Sequence, residues 1–182
     1  MTRAVLGFLV LLTGCTHLSF LSTYTDYSLH GIPNYQEVDA SIIRGGQPKD
    51  EAACRYLRDV KHVERWIKYS YEREGSSEVC ESIGIQVLHF EMPPSDLHDF
   101  VQRPSLSIVK AALIELLKCN IDGVVCFEGC LYGRDRTGLM TALYLWITGA
   151  MDKATAWTYA ATDHGFRGFF HELSDTYEDF KP

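Results

Sequence analysis

An apolar run, Val124-Val125-Cys126-Phe127, leads after two residues into Cys130-Leu131-Tyr132-Gly133-Arg134-Asp135-Arg136-Thr137-Gly138. A second apolar stretch follows at once, with Leu139, Met140, Ala142, Leu143 and Leu145. The first run has the length and composition of a fully buried strand, and the second has the spacing of a buried helix. A buried strand that turns directly into a buried helix must be covered on both faces by other elements. That requirement points to an α/β fold: a central, mostly parallel sheet flanked by helices.

The rest of the chain supplies those elements. Ala40 to Arg44 reads as a short strand closed by Gly45-Gly46-Gln47-Pro48, and Lys49 to Val60 as a helix. Val63 to Tyr69 reads as a strand. Ser76-Ser77 opens a helix that Gly84 can end, and Ile85 to Phe90 alternates like a strand. A loop with Pro93-Pro94 precedes a helix that begins at Pro104-Ser105 and carries Leu106, Val109, Leu113, Leu116 and Leu117 at helical spacing. Asp152 can cap a further helix ending at Gly165, and a last helix is expected over about Phe169 to Phe180. With 182 residues, one core suffices, because a domain of this size buries about 70% of its unfolded surface.

The first fifteen residues, MTRAVLGFLVLLTGC, place Arg3 before an apolar run from Ala4 to Leu12 and end on small residues before Cys15. The run is about half of the roughly 20 residues a spanning helix needs. This is the anatomy of an export signal, and Leu12-Thr13-Gly14-Cys15 resembles the bacterial lipobox, which implies a lipidated Cys15. Residues 1–15 are thus expected to be a lipoprotein-type signal peptide and 16–40 a polar tether or N-terminal extension, with the folded domain over 41–182. The expected location is the bacterial cell envelope, periplasmic or surface-facing, with the membrane as a partner through the lipid on Cys15.

Export makes disulfides plausible among Cys54, Cys80, Cys119 and Cys126, which allow three pairings that the sequence alone leaves open. Cys126 either packs in its strand or joins such a pair. No His or Cys spacing matches a zinc site, so neither metal nor cofactor is called for. A formal net charge of -7 argues against a broad nucleic-acid surface, which needs clustered cations.

The loop from Cys130 to Gly138 sits where a strand passes into a helix, the usual ligand position of open α/β sheets. Backbone N–H groups of Leu131, Tyr132, Gly133, Arg134 and Asp135, with the positive end of the helix that Gly138 enters, can cradle the oxygens of a phosphoryl group. Arg136 can grip two of those oxygens in a bidentate fork. Helix N-termini and arginines favour the thiolate of a cysteine placed among them, the nucleophilic form. Cys130 is therefore the candidate nucleophile for in-line attack on phosphorus, and Thr137 can hydrogen-bond the sulfur as it leaves. Cys126 does not fit that role, because six positions later stands Tyr132 rather than an arginine.

The segment resembles the Cys-x5-Arg-[Ser/Thr]-Gly signature of the protein-tyrosine-phosphatase superfamily. Its small dual-specificity and atypical branch, including bacterial tyrosine-phosphatase-like phytases, is the nearest in pattern. Arg44-Gly45-Gly46-Gln47-Pro48 is similar to a motif that opens their domain, and the resemblance extends from about Ser41 to Phe180. It implies hydrolysis of phosphomonoesters through a phosphocysteine. One departure stands out: the family places His immediately before the nucleophile, whereas this chain has Glu128-Gly129. An ionised neighbour there would oppose the thiolate.

The family carries its general acid, an Asp, on a loop some thirty residues before the nucleophile. Here that loop is Met92-Pro93-Pro94-Ser95-Asp96-Leu97-His98-Asp99, which makes Asp96 the first candidate and Asp99 the second. Asp135 is a third, since some relatives with a basic-Asp-Arg-Thr-Gly loop use the loop Asp. Arg134 resembles the extra basic residue of relatives acting on inositol phosphates, and Lys68 and Arg167 are candidates for further charge at the rim. The expected partner is a small polyphosphorylated substrate such as an inositol polyphosphate, with a phosphotyrosyl protein as the alternative. Two rivals remain: a phosphate-binding module without turnover, and a rhodanese-type sulfurtransferase, whose loop is typically shorter and lacks Arg-Thr-Gly.

Overall fold

In the computed structural model, which describes residues 28–93, 103–166 and 171–182, the strand β7 (Val125–Cys130) lies at the middle of a five-stranded sheet. The order across the sheet is β3 (Gln36–Glu37), β4 (Ile42–Gly46), β7, β5 (Val63–Lys68) and β6 (Gln86–His89). β3 runs antiparallel to β4 and the other pairs are parallel, so the α/β expectation holds. A separate antiparallel pair joins β1 (Ser28–Leu29) to β2 (Ile32–Pro33).

Side chains alternate along β7 and so divide the core in two. Cys126 and Cys130 face α3 (Leu106–Asp122), α4 (Asp135–Ile147), α5 (Lys153–Ala160) and α6 (His171–Asp179), where Val109, Leu116, Leu139 and Leu143 are buried. Phe127 faces α1 (Glu51–Arg55) and α2 (Glu78–Ser82), packing with Ile43, Leu57, Trp66 and Ile85. The helix starts follow the capping residues read from the sequence: Ser105 Oγ accepts from Ile108 N at 3.3 Å, and Asp152 Oδ1 from Thr155 N at 3.0 Å. The helix expected over Lys49 to Val60 divides, its last residues Tyr56–Val60 widening into a π turn. Gly123 at φ 71° ends α3.

The structure also answers the cysteine question. Cys54 pairs with Cys80, joining α1 to α2, and Cys119 pairs with Cys126, joining the end of α3 to β7. Among the described residues Cys130 is the free thiol.

The expected tether over 16–40 fails from residue 28 onward. Ile32 and Tyr35 are buried, and β3 extends the sheet beside β4. Strands of two residues are too short to show a period, which is why this part of the domain reads as polar linker. Cys15 and the signal segment lie outside the described residues. Among the described residues, no helix is long and apolar enough to cross a membrane.

Candidate active site

The carbonyls of the loop that follows β7 are all engaged, three by residues outside the loop and the fourth by the first turn of the helix α4. Leu131 O accepts from Gln47 N at 3.1 Å, Tyr132 O from Asn34 Nδ2 at 2.6 Å, Gly133 O from Arg44 Nη2 at 3.0 Å, and Arg134 O from Gly138 N at 2.6 Å. In a planar trans peptide the following N–H points opposite the carbonyl. Four outward carbonyls therefore turn the N–H groups of Tyr132, Gly133, Arg134 and Asp135 to the concave side, where they form a nest for an anion. The start of α4 adds its positive dipole end.

Close packing underneath sets the loop's shape. Gly133 has φ 71°, and a Cβ there would lie 2.4 Å from Gly45 C and Gly46 N. The paired glycines of β4 thus let the loop rest directly on the strand. The same contact accounts for Gly129: a Cβ on it would come within 2.7 Å of Gly45 O, so the histidine expected at this position has no room. Arg44, wholly buried, fastens the arrangement by bridging Gly133 O and, through Nη1 at 2.6 Å, Ala160 O on α5.

Cys130 is buried at the bottom of the nest with Thr137 against it: Thr137 Oγ1 donates to the sulfur at 3.2 Å and accepts from Cys130 N at 3.0 Å. A donor in this position favours the thiolate form. Arg136 is almost wholly buried, with Nη1 and Nη2 on the two carboxylate oxygens of Glu74 at 2.8 and 2.7 Å and Nη1 also on Met92 O at 3.1 Å. Its Nε has no hydrogen-bond partner among the described residues. One edge of the guanidinium is thereby fixed, and the other is available to a phosphoryl oxygen. Burial by itself would discourage charge on both members of this pair. The mutual hydrogen bonds outweigh it, holding Glu74 below the usual carboxylate range and Arg136 firmly charged.

Glu74 and Arg44 were not legible as functional residues. Glu74 stands in a short acidic turn, Glu72–Glu74, with no pattern of its own. Lys68 is a correction: it is not at the rim but wholly buried, with Nζ on Glu72 Oε1 at 2.7 Å and on Gly75 O, so it secures the turn that carries Glu74. Asp135, first residue of α4, is buried within the loop, and Arg134 stands half-buried beside it. Asp96, Asp99 and Arg167 lie outside the described residues.

The model of a tyrosine phosphatase family matches residues 51–181, most of the chain. The chain belongs to this family. As a phosphatase it hydrolyses phosphoesters through a cysteine, and the thiol left outside the disulfides among the described residues is Cys130. No curated protein matches the phosphatase significantly. Among solved structures it is similar to PTPMT1 in complex with PI(5)P, with 20% identity, a TM-score of 0.62, and coverage of 80% of this chain and 95% of that one. It is similar also to Tk-PTP in the active form, at 17% identity and a TM-score of 0.65, covering 81% and 95%. TpbA from P. aeruginosa gives 17%, 0.62, 81% and 85%, and a further TpbA structure contains pTyr. These neighbours share the small phosphatase fold.

Proposed function

We propose that the phosphatase works in two displacements at Cys130. The thiolate attacks phosphorus, the bond from phosphorus to the leaving oxygen breaks, and Asp96 gives that oxygen its proton. Water then attacks the phosphocysteine, the phosphorus–sulfur bond breaks, and the Asp96 carboxylate takes the proton from the water, restoring the thiolate and releasing phosphate. The nest N–H groups and the Nε edge of Arg136 hold the equatorial oxygens through both steps. The observation that carries this reading is the pair of contacts at the bottom of the nest, Thr137 Oγ1 to sulfur at 3.2 Å and Arg136 clamped on Glu74.

For the substrate, we favour a small polyphosphorylated molecule such as an inositol polyphosphate. Arg134 adds a second fixed cation inside the loop, and Lys49 makes no ion pair among the described residues at the edge of a neighbouring groove of about 460 Å³. The groove itself supports a second reading. Pro33, Pro48, Val79, Leu131 and Tyr132 give it apolar walls that suit the ring of a phosphotyrosyl peptide. Among similar structures, one of PTPMT1 contains PI(5)P and one of TpbA contains pTyr.

The test is kcat/KM for inositol hexakisphosphate against a phosphotyrosyl peptide, in wild type and in Arg134→Ala. A selective loss on inositol hexakisphosphate in Arg134→Ala supports the first reading. A preference for the peptide that Arg134→Ala leaves unchanged overturns it. Hydrolysis of p-nitrophenyl phosphate by pure Cys130→Ser would overturn the mechanism itself.

The two disulfides support export from the reducing cytoplasm, since such bonds persist in oxidising compartments. We infer that the mature chain is held at the cell envelope by lipid on Cys15.

A further inference from the structure

Glu128, whose sequence position argued against a reactive thiolate, occupies an unusual setting. It lies wholly buried on the α4 face of β7, two residues before Cys130. Tyr69 Oη donates to its Oε2 at 2.7 Å, and Thr141 Oγ1 is bonded to its Oε1. The same Thr141 hydroxyl lies 2.9 Å from Thr137 O, the carbonyl of the residue whose side chain touches the sulfur.

Proton counting favours one protonation state. Thr141 has one hydroxyl hydrogen and faces two acceptors, so it cannot donate to both. All the contacts are satisfied at once if Glu128 is the neutral acid. Tyr69 then donates to Oε2, Glu128 donates from Oε1 to Thr141, and Thr141 donates to Thr137 O. Removing the proton from Glu128 forces Thr141 to turn its hydrogen to the carboxylate and leaves Thr137 O without it.

Among the described residues, Arg44 is a cation whose charge acts on Glu128. Arg44, its register partner on β4, is engaged with Gly133 O and Ala160 O. Among the described residues, Asp39 stands nearby with Tyr144 Oη on it at 2.6 Å, and Tyr69 and Tyr144 are titratable neighbours, with Cys130 two residues further along the strand. Burial, the largest influence, outweighs the hydroxyl donors and Arg44 and pushes the carboxyl up to about 7.

We propose that Glu128 is a positioning residue that keeps the Cys130–Thr137 pair reactive only while it holds its proton. Ionised, it sets a negative charge behind the sulfur in a region of low dielectric and draws the Thr141 hydroxyl away from Thr137 O, which keeps its helical bond alone. Both effects disfavour the thiolate, so activity falls as pH rises through the titration of Glu128. This rests on Cys130 as the nucleophile, but the coupling can be read without turnover.

The first measurement is the rate of Cys130 alkylation by iodoacetamide against pH, in wild type and Glu128→Gln; the amide keeps the shape and carries no charge. Alkylation in wild type is expected to lag the variant severalfold above pH 7, where Glu128 is ionised, and to match it below pH 6, where it is not. The pH profile of kcat/KM for p-nitrophenyl phosphate should show the same divergence. The second measurement needs no variant: a ¹³C titration of the glutamate carboxyls in the wild-type protein should contain one that titrates near 7. Superposable alkylation profiles for wild type and Glu128→Gln overturn the proposal. So does a titration in which every glutamate carboxyl ionises below pH 6. Coupled alkylation without any hydrolysis would leave the proposal standing and remove the phosphatase mechanism instead.

Discussion

Arg136 and Glu74, 62 positions apart in the chain, meet through two hydrogen bonds of 2.8 and 2.7 Å that fix the guanidinium in one plane. The plane matters because a phosphoryl group must be gripped along one edge while the other stays anchored. Glu74→Gln keeps the size of the side chain but removes the charge that holds both nitrogens. A loss of roughly 10- to 100-fold in kcat/KM is expected, since small misplacements of a positioning group cost about that much. Steady-state kinetics with p-nitrophenyl phosphate check it, and a wild-type rate would mean that Met92 O and packing suffice to hold Arg136.

Leaving-group dependence identifies the acid. Asp96→Asn is expected to slow an alkyl phosphate far more than p-nitrophenyl phosphate, whose leaving group departs with little protonation. If Asp96→Asn lowers both rates equally and Asp135→Asn produces the selective loss, the proton comes from the loop itself.

Stability against pH carries a sign set by Glu128. Its carboxyl rises from an ordinary 4.5 to about 7 on folding, so the native state binds the extra proton. The stabilisation is complete below about pH 4.5 and is lost as pH rises through 7. Thermal unfolding should therefore give a Tm that falls between pH 5 and 8, and the fall should be smaller in Glu128→Gln. Parallel curves for the two proteins would mean that the carboxyl is ionised in the native state throughout.

The disulfides differ in the loops they close. Cys54 and Cys80 are separated by 26 positions, and Cys119 and Cys126 by seven. Loop-closure entropy assigns them about 3.5 and 2.5 kcal/mol respectively. Denaturant unfolding of Cys54→Ala/Cys80→Ala should show the larger loss, and a larger loss from Cys119→Ala/Cys126→Ala would mean that packing at the end of α3 outweighs loop entropy.

The lipid on Cys15 is checked by mass spectrometry of the mature N-terminus from the producing cell. A terminal cysteine carrying acyl chains is expected. An unmodified terminus at Thr16 or beyond would remove the anchor and leave export standing.

What the sequence determined by itself is local. The strand, loop and helix around Cys130 follow from hydrophobic period and from glycines and arginines at fixed spacing, and the helix starts at Ser105 and Asp152 follow from side chains that cap their own backbone. Thr137 against the sulfur is equally local, seven residues away within one turn and helix start. What only the tertiary structure decided joins distant segments. Glu74 on Arg136, Asn34 and Arg44 on the loop carbonyls, and the choice of Cys54–Cys80 and Cys119–Cys126 all depend on how the strands are ordered across the sheet. The burial of Lys68 and Glu128 belongs with them: each stands on an inner strand of the sheet, and the sequence does not show which helix or turn closes over its side chain. For a charged side chain that difference is decisive, because the same residue is a solvated ion on one neighbour's side and a buried hydrogen-bonded group, or a neutral acid, on the other's.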